Sequence, residues 1–461
     1  MRVLLVSTYD LGRQPFGLAS ASAWLRDEGF DVDVLDLAVQ GLDDTPASDV
    51  ALIAFHLPMH TATRLAVRAL PELRRRHPRA RVCCFGLYAP MNEAHLRALG
   101  ADAVLGPEFE PALVRIAKAI ATAGAAGSAA VAPHESFDPL APLERVGFRV
   151  PDRAGLPALS RYARLHLGTD ETRTVGATEA SRGCRHRCRH CPIVPVYEGR
   201  FRTVPRDVVL ADVRRQVEAG AEHITFGDPD FFNGIGHAMP LVRALHAEHP
   251  HLTYDVTIKI EHLRRHAEHL PALKETGCLF VTSAVESLDD AVLERLGKGH
   301  TRDDFVAVVA RFRELGLVLQ PTFVAFHPWI SVAGYRELLA TLDELDLIEH
   351  VAPVQLAIRL LVPAGSKLLE LPEVRQLVGA FDPEALCHPW RHPDAEVDRL
   401  QAALEEMVRE SVAAGAHRRE IFARAWSLTG GAAGARQLAF ARASRAPKRP
   451  PVPFLTEPWY C

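Results

Sequence analysis

The chain has 461 residues, of which 48% are hydrophobic and 24% are charged. That composition is typical of a globular protein with filled cores, and the length predicts two or three domains. The formal net charge of −4 excludes a global basic field of the kind that draws nucleic acid or anionic membranes. No run in the sequence approaches the roughly 20 apolar residues of a membrane span, and the apolar start is too short for a signal peptide. We therefore expect a cytoplasmic protein with no membrane partner and no nucleic-acid partner.

Residues 1–122 alternate short apolar runs with amphipathic helical patterns. This alternation predicts an α/β domain built on a doubly wound parallel sheet. A ligand of such a sheet lies beyond the carboxyl ends of the strands, so the loops after the strands are a candidate site. The predicted strands are Val3–Ser7, Val32–Leu37, Val50–Phe55, Val82–Gly86 and Ala103–Leu105.

The rest of the chain divides into a linker, a second strand–helix series and a helical end. Residues 123–171 are predicted to be a linker, whose Ala/Gly/Ser/Pro-rich first part is expected to be flexible. Residues 172–365 predict a partial (β/α)6 barrel of the TIM type, with its chemistry at the strand carboxyl ends. Residues 366–461 predict a helical region with an extended tail, because apolar residues recur at helical spacing from Val397 to Val412. The predicted barrel strands are His223–Gly227, Tyr254–Ile260, Leu279–Ala284, Leu317–Ala325 and Val354–Leu361.

Three of the eight cysteines lie within eight positions, at Cys184, Cys188 and Cys191. Three thiolates on one short loop can bind three irons of a cubane 4Fe-4S cluster and leave the fourth iron open. The arginines and histidines between the cysteines are expected to favour thiolate over thiol. Gly183 is expected to let the chain turn sharply beside the cluster. Of the other cysteines, Cys83, Cys84 and Cys278 lie in strand patterns and are expected to be buried and inert.

A zinc site is the alternative interpretation of this cysteine group. The three cysteines with His186 or His190 could supply four zinc ligands. Zinc loops usually pair two ligand clusters, and the sequence shows no second Cys or His pair at matching spacing. A predicted β/α barrel also follows the cysteines, which favours the iron–sulfur interpretation.

The Cys-x3-Cys-x2-Cys spacing, after a first strand and before a β/α series, resembles the radical S-adenosylmethionine (SAM) superfamily over about residues 172–365. The resemblance implies that SAM chelates the open iron and is cleaved, after one-electron reduction, to methionine and a 5′-deoxyadenosyl radical. That radical would abstract hydrogen from a small-molecule or peptide substrate that the sequence does not identify. A reductant such as flavodoxin or ferredoxin is implied by the same chemistry.

The resemblance also assigns SAM-binding positions. His190 takes the aromatic position near the adenine. The Gly227-Asp228-Pro229-Asp230 segment corresponds to the segment that binds the methionyl amino group, and its departure from Gly-Gly-Glu predicts binding by backbone carbonyls. Ser283 and Glu286 correspond to the fourth-strand segment that contacts the ribose or carboxylate. Arg359, like Lys259 and Glu261, is expected either to face the site or to form a salt bridge within the barrel.

The five-strand unit, linker and barrel together resemble cobalamin-binding radical SAM enzymes. The Asp-x-His-x-x-Gly loop of other cobalamin proteins is absent, and the nearest histidines are His56 and His60. If cobalamin binds, the resemblance implies methyl transfer. Without cobalamin, the alternatives are another radical reaction such as cyclisation, epimerisation or sulfur insertion. A third alternative is a metal-bearing binding or sensing protein without turnover.

The barrel motifs, including Gly227–Gly234 and Thr257–Leu263, also resemble radical proteins whose chains end in Cys-Cys-Ala-Glu-Pro or Cys-selenocysteine-Ala-Glu-Pro. This chain ends at Cys461, so we expect that the native protein continues through a selenocysteine codon. Cys461 would then belong to a catalytic dichalcogen pair on a mobile tail. A genomic UAA or UAG codon after Cys461 would exclude this.

Overall fold

A computed structural model describes residues 1–45, 49–125, 147–168, 170–430 and 452–456. Most of the predicted flexible linker lies outside these ranges, and so does Cys461. Among the described residues, none of the helices is both long and apolar enough to cross a membrane.

The first sheet has five parallel strands in the order β2-β1-β3-β4-β5, which confirms the doubly wound sheet expected for the first domain. The inner strands β1, β3 and β4 are largely apolar because helices cover both faces, whereas the edge strand β2 alternates aspartates with apolar residues. Leu4 and Val6 of β1 pack toward α2, whereas Val3 and Leu5 pack toward α1 and α4. The elements are β1 (Arg2–Ser7), α1 (Phe16–Asp27), β2 (Asp31–Asp36), β3 (Leu52–His56), α2 (His60–Arg76), β4 (Arg81–Phe85), α3 (Glu93–Ala98), β5 (Ala103–Leu105) and α4 (Glu110–Ala125).

The second sheet has seven strands in the order β13-β12-β11-β10-β7-β6-β14. Strands β7 and β10 to β13 run parallel, and helices connect them as in a partial barrel. β6 and β14 extend the β7 edge in antiparallel pairing, an addition that strand–helix alternation did not predict. The elements through the barrel are β6 (Arg164–His166), β7 (Thr172–Thr178), β8 (Ser181–Gly183), α5 (Val194–Tyr197), β9 (Phe201–Thr203), α6 (Arg206–Glu218), β10 (His223–Phe226), α7 (Ile235–Glu248), β11 (Thr253–Thr257), α8 (Ile260–Arg265), α9 (Leu270–Glu275), β12 (Cys278–Glu286), α10 (Asp290–Leu296), α11 (Arg302–Leu315), β13 (Val318–Phe323) and α12 (Val332–Glu344).

The strand predicted at Val354–Leu361 is wrong. Pro353 begins a short 3-10 helix that ends at Leu356, as suits a residue with no backbone N–H to give to a ladder. Only an isolated parallel bridge between Phe326 and Arg359 occupies the sixth position of the barrel. The barrel is therefore open on this side.

The carboxyl-terminal region is helical, with α13 (Pro372–Leu377), α14 (Ala395–Ala413) and α15 (Arg418–Leu428). The predicted apolar face of α14 is buried from Val397 to Val408, whereas Val412 is 47% exposed. The chain then returns as β14 (Phe454–Leu455), where Leu455 pairs with Leu165 of β6.

The second part of the linker is packed at the junction of the two sheets. Arg153 donates to both carboxylate oxygens of Asp212 on α6, each at 2.9 Å, and to Gln14 Oε1 of the first domain at 2.8 Å. The Tyr162 hydroxyl donates to Asp36 at the end of β2. Residues 147–168 therefore tie the first domain to the barrel.

Candidate functional site

Two short antiparallel strands close the base of the cysteine loop. Strands β8 and β9 pair from Ser181 with Thr203 to Gly183 with Phe201, so residues 184–200 form a closed loop. Gly183 has a φ of 75°, and a Cβ there would lie 2.3 Å from the carbonyl oxygen of Arg200. Only glycine fits this turn, as the sequence predicted.

The three cysteine thiols are grouped but do not form a zinc-sized site. Burial, reinforced by the neighbouring thiols, raises the pKa of Cys184 and Cys191. Tetrahedral zinc, with Zn–S bonds of about 2.3 Å, would bring ligand atoms within about 4 Å of each other. Among the described residues, no group of three candidate ligands within 4.8 Å contains a cysteine. The described thiols therefore do not lie at the spacing that a single zinc ion needs.

The expectation that the loop arginines favour thiolate is wrong for these thiols. Arg185 and Arg187 are exposed, whereas Cys188 is buried and burial raises the pKa of the other two thiols. A charged guanidinium in water is screened and cannot offset the desolvation of a buried thiolate. Cys184 and Cys191 therefore need a bound cation to be held as thiolates, which fits a metal cluster.

Asn233 contacts the first cysteine directly. Its Nδ2 donates to Cys184 Sγ at 3.5 Å, and its Oδ1 accepts from the backbone N–H of Arg185 at 3.3 Å. The side chain is 3% exposed. Sequence reasoning quoted this residue only within a motif, because the contact joins positions 49 residues apart.

A buried charge group lies beside the other two cysteines. Glu286 Oε1 lies 3.0 Å from His190 Nε2 and 3.4 Å from Lys298 Nζ. Burial alone would raise the pKa of Glu286, but Lys298 and His190 lower it to about 2. The Lys298 ammonium also interacts with Cys188 and Cys191. Sequence analysis missed Lys298, which has no motif and is placed only by the fold.

Glu286 also has an unusual backbone. Its φ is 72°, where non-glycine residues are rare and strained. The register between β12 and β13 shifts at this point, between Ala284 and Glu286. The strain turns the Glu286 carboxylate toward His190, which the sequence assigned to the same cofactor.

The two carboxylates of the Gly227–Asp230 segment are already engaged. Asp228 accepts from the Ala180 backbone N–H at 2.9 Å and from the Ser181 hydroxyl. Asp230 Oδ1 accepts from the Phe232 N–H at 3.1 Å, and its Oδ2 lies 2.7 Å from His262 Nδ1. The Asp230 carbonyl also accepts from the Asn233 N–H at 3.0 Å, and the binding of SAM by the carbonyls of this segment stays a prediction.

The remaining predicted residues divide into two groups. Ser283 is fully buried on β12, and its hydroxyl has no hydrogen-bond partner among the described residues, as expected of a group kept for a ligand. Arg359 instead donates to Asp398 at 2.8 Å and lies 3.6 Å over the Trp390 ring, so it forms the salt bridge that was its alternative role. Lys259 and Glu261 bond to each other at 3.1 Å.

The carboxyl edge of the first sheet meets the cysteine loop through a buried ion network. Arg182, two residues before Cys184, contacts Glu110 at 2.7 Å, Glu179 at 3.0 Å and Glu108 at 3.9 Å. Burial raises the pKa of Glu108 and Glu179 despite this arginine. The first domain is thereby bonded to the base of the cluster loop.

The two histidines near this edge are both used in packing. The His56 ring packs against Phe85 at 5.3 Å between centroids, and burial lowers its pKa to about 3, so it is neutral. A Cβ on Gly17 would lie 2.2 Å from His56 Nε2. His60 Nε2 bonds the Ala385 carbonyl oxygen at 2.7 Å. His60 Nε2 is thus engaged, whereas His56 Nδ1 is buried without a hydrogen-bond partner among the described residues.

Residues 178–328 match the radical SAM superfamily. This part of the chain is a radical SAM domain. The match spans the cysteine loop, Gly227–Asp230, Ser283 and Glu286. A domain of this kind implies a 4Fe-4S cluster and SAM as its cofactors.

Among curated relatives are two tRNA-2-methylthio-N(6)-dimethylallyladenosine synthases. The one from Fusobacterium nucleatum subsp. nucleatum is 24% identical over 201 residues, which cover 40% of this chain and 42% of the relative. The one from Chlorobium phaeovibrioides is 30% identical over 171 residues, covering 33% of this chain and 36% of the relative. The chain thus spans less than half the length of these relatives.

Two solved structures share the fold over most of the chain. The cobalamin-dependent SAM radical enzyme OxsB, with aqua-cobalamin and SAM bound, has a TM-score of 0.69 at 13% identity, over 96% of this chain and 74% of that one. The radical SAM methyltransferase TsrM from Kitasatospora setae, with cobalamin and a [4Fe-4S] cluster bound, has a TM-score of 0.57 at 20% identity, over 75% of this chain and 73% of that one. These neighbours confirm the resemblance in fold to cobalamin-type radical SAM enzymes.

Three of the remaining cysteines are buried, as the sequence predicted. Cys83, Cys84 and Cys278 are buried, and burial raises the pKa of Cys84 to about 12 and also raises that of Cys278. Cys461 lies outside the described residues, so its catalytic role and the selenocysteine extension stay predictions.

Proposed function

We propose that this protein is a radical SAM enzyme that abstracts hydrogen from its substrate, with the cluster held by Cys184, Cys188 and Cys191. A reduced 4Fe-4S cluster with one open iron supplies the electron that cleaves SAM to methionine and a 5′-deoxyadenosyl radical. The observation that carries the proposal is the buried Lys298–Glu286–His190 group beside two of the three cysteines. A soluble electron donor such as flavodoxin or ferredoxin is part of the proposal.

The chain's own residues would bind and orient SAM. Ser283 offers a buried hydroxyl without a partner, and Glu286 offers a carboxylate that Lys298 keeps ionised. The engaged carboxylates of Asp228 and Asp230 hold the Gly227–Asp230 backbone in place, so that its carbonyls can accept from the methionyl ammonium. His190, held by Glu286 through Nε2, presents its ring near the cluster loop.

The test is anaerobic reconstitution with iron and sulfide, followed by reduction with SAM present. We expect one 4Fe-4S cluster per chain and formation of 5′-deoxyadenosine. A matched control is the Cys387→Ser variant, because Cys387 lies outside the loop and is only half-buried. A cluster without any 5′-deoxyadenosine would favour the alternative of a binding or sensing protein and would overturn the enzyme proposal.

We further propose that the enzyme transfers a methyl group with cobalamin bound at the carboxyl edge of the first sheet. Its support is the sheet order β2-β1-β3-β4-β5 and the fold shared with OxsB and TsrM, which carry cobalamin in their structures. Since His56 and His60 are both used in packing, cobalamin held here would have neither as a ligand.

Desalting after incubation with hydroxocobalamin tests this second step. Retention of about one cobalamin per chain, with a paramagnetic spectrum free of protein-nitrogen coupling, would support it. If the cluster forms but no cobalamin is retained, the proposal of methyl transfer is refuted. A non-cobalamin radical reaction such as cyclisation, epimerisation or sulfur insertion is then favoured.

A further inference from the structure

His186, Asp230 and His262 bring three candidate ligand atoms within 4.8 Å of one another. The three residues come from different elements. His186 lies between two of the cluster cysteines, Asp230 follows β10, and His262 lies on α8 after β11. The fold therefore gathers them, although they are separated by up to 76 positions in the sequence.

The two ring nitrogens converge on one oxygen of Asp230. Asp230 Oδ2 lies 2.7 Å from His262 Nδ1 and 3.3 Å from His186 Nε2. All three atoms are buried, and beyond these contacts with one another none has a hydrogen-bond partner among the described residues. Asp230 is 2% exposed and His262 is 6% exposed. Buried polar atoms without partners are uncommon and call for a missing ligand.

We propose that His186, Asp230 and His262 bind a first-row divalent cation at a site separate from the cluster. Two imidazoles and one carboxylate form a donor set that suits zinc or iron(II). Asp230 would use Oδ2, since its Oδ1 accepts from the Phe232 N–H. The donors are nitrogen and oxygen, whereas the cluster takes the three cysteine sulfurs.

The surroundings include one carboxylate and one cation. Glu261 Oε2 lies 3.6 Å from His186 Nδ1, which is close enough for an ion pair but too long for a hydrogen bond. Lys259 Nζ lies 3.1 Å from the same nitrogen and 3.1 Å from Glu261. Glu261 offsets the Lys259 charge, so Asp230 is left as the carboxylate that balances the metal ion.

Such a cation would cross-link the cluster loop to the barrel. His186 moves with the loop, whereas Asp230 and His262 belong to the ends of two neighbouring barrel strands. The cation would thus fix the loop beside the segment predicted to bind the SAM amino group.

The experiment uses the anaerobically reconstituted protein, in which the cysteines are already occupied by the cluster. After a chelator wash, the protein is incubated with Zn²⁺ and desalted, and zinc and iron are measured by elemental analysis. We expect about one zinc per chain in the wild type and in His269→Ala, a control histidine whose ion pair is with its neighbour Glu268. Asp230→Asn and the volume-conserving His262→Gln should each lose this zinc while keeping the cluster iron.

X-ray absorption at the zinc edge separates this site from adventitious thiol binding. We expect a nitrogen and oxygen shell at about 2.0–2.1 Å and no sulfur shell at about 2.3 Å. A sulfur shell, no retained zinc in the wild type, or equal zinc in wild type and both variants would overturn the proposal. Cluster iron is read out in the same samples, so a failure of the proposed radical chemistry would not be confused with loss of the zinc site.

Discussion

Lys298 Nζ lies 3.4 Å from Glu286 Oε1, and both side chains are buried, at 3% and 8% exposure. Neither charge would be tolerated here alone, because removing one partner of a buried pair leaves the other uncompensated. The lysine also faces Cys188 and Cys191, so a positive charge stands where cluster thiolates would carry negative charge. The pair links the cluster loop to the strained end of β12.

Lys298→Met and Glu286→Gln are therefore expected to weaken SAM binding at least tenfold, or about 1.4 kcal/mol. Both variants should keep the cluster iron, because all three cysteines remain. Lys298→Arg should recover part of the affinity. Equilibrium binding of SAM to the reconstituted proteins measures this, with Lys118→Met as a control lysine that pairs with Glu28 at the surface of the first domain. Unchanged affinity in both variants would contradict a role at the SAM site.

Replacing Cys184, Cys188 and Cys191 together by Ala is expected to remove the visible absorbance of the cluster and all cleavage of SAM. No other cysteine of the described chain lies in this loop, so no substitute ligand is at hand. Absorbance spectra and chromatography of 5′-deoxyadenosine measure the two losses. Normal cleavage by this variant would refute the assignment of the cluster.

Asn233→Ala is expected to lower the reduction potential of the cluster. The Asn233 amide donates to Cys184 Sγ, and hydrogen bonds to cluster sulfurs stabilise the more negative, reduced state. A lost bond of about 1 kcal/mol corresponds to about 40 mV for one electron. A paramagnetic redox titration measures the shift. Asn233→Gln serves as the partial rescue, and a shift to higher potential would contradict the argument.

Asp228 predicts a pH dependence of stability. Burial is the main reason that its pKa is raised from 3.8 to about 7. The folded state thus holds the Asp228 proton more tightly than the unfolded state does. The stability that this proton contributes is complete below pH 3.8 and is lost as the pH rises to about 7. Asp228→Asn, which stays neutral, should gain stability relative to wild type across this window, by at most about 4 kcal/mol. Denaturant unfolding of both proteins at about pH 5 and about pH 8 measures it, and a parallel pH response of the two would refute it.

Arg182→Met is expected to destabilise the junction between the first domain and the barrel by about 3–5 kcal/mol. Glu108, Glu110 and Glu179 would be left in a buried site without their arginine. Arg75→Met is the matched control, because Arg75 is 72% exposed and water screens its ion pair with Glu72. Denaturant midpoints of the two variants measure the difference, and equal midpoints would show that the network contributes nothing.

Local sequence patterns were sufficient for the first sheet, for four parallel strands of the barrel and for the cluster loop, but not for β6 and β14. Period-two and uninterrupted apolar runs marked β1 to β5 and four of the parallel barrel strands, because a strand buried on both faces must be apolar wherever it lies in the chain. The cysteine spacing and Gly183 likewise depend on neighbours within a few residues. Local patterns failed at Val354–Leu361, where an apolar run is buried by packing around a 3-10 helix and not by strand pairing.

The side chains around the loop were decided by tertiary structure. Lys298, Asn233 and the His186–Asp230–His262 group have no local signature, since each acts through a partner at least 12 positions away. Arg359 had the right position near a barrel end, but the structure pairs it with Asp398 on α14. The sequence alone determined which elements form and where the cysteines lie on them. Which charged side chains meet was decided only by the packing of strand ends from distant segments. Burial and close approach, and not residue type, set the pKa values and the partners of these side chains.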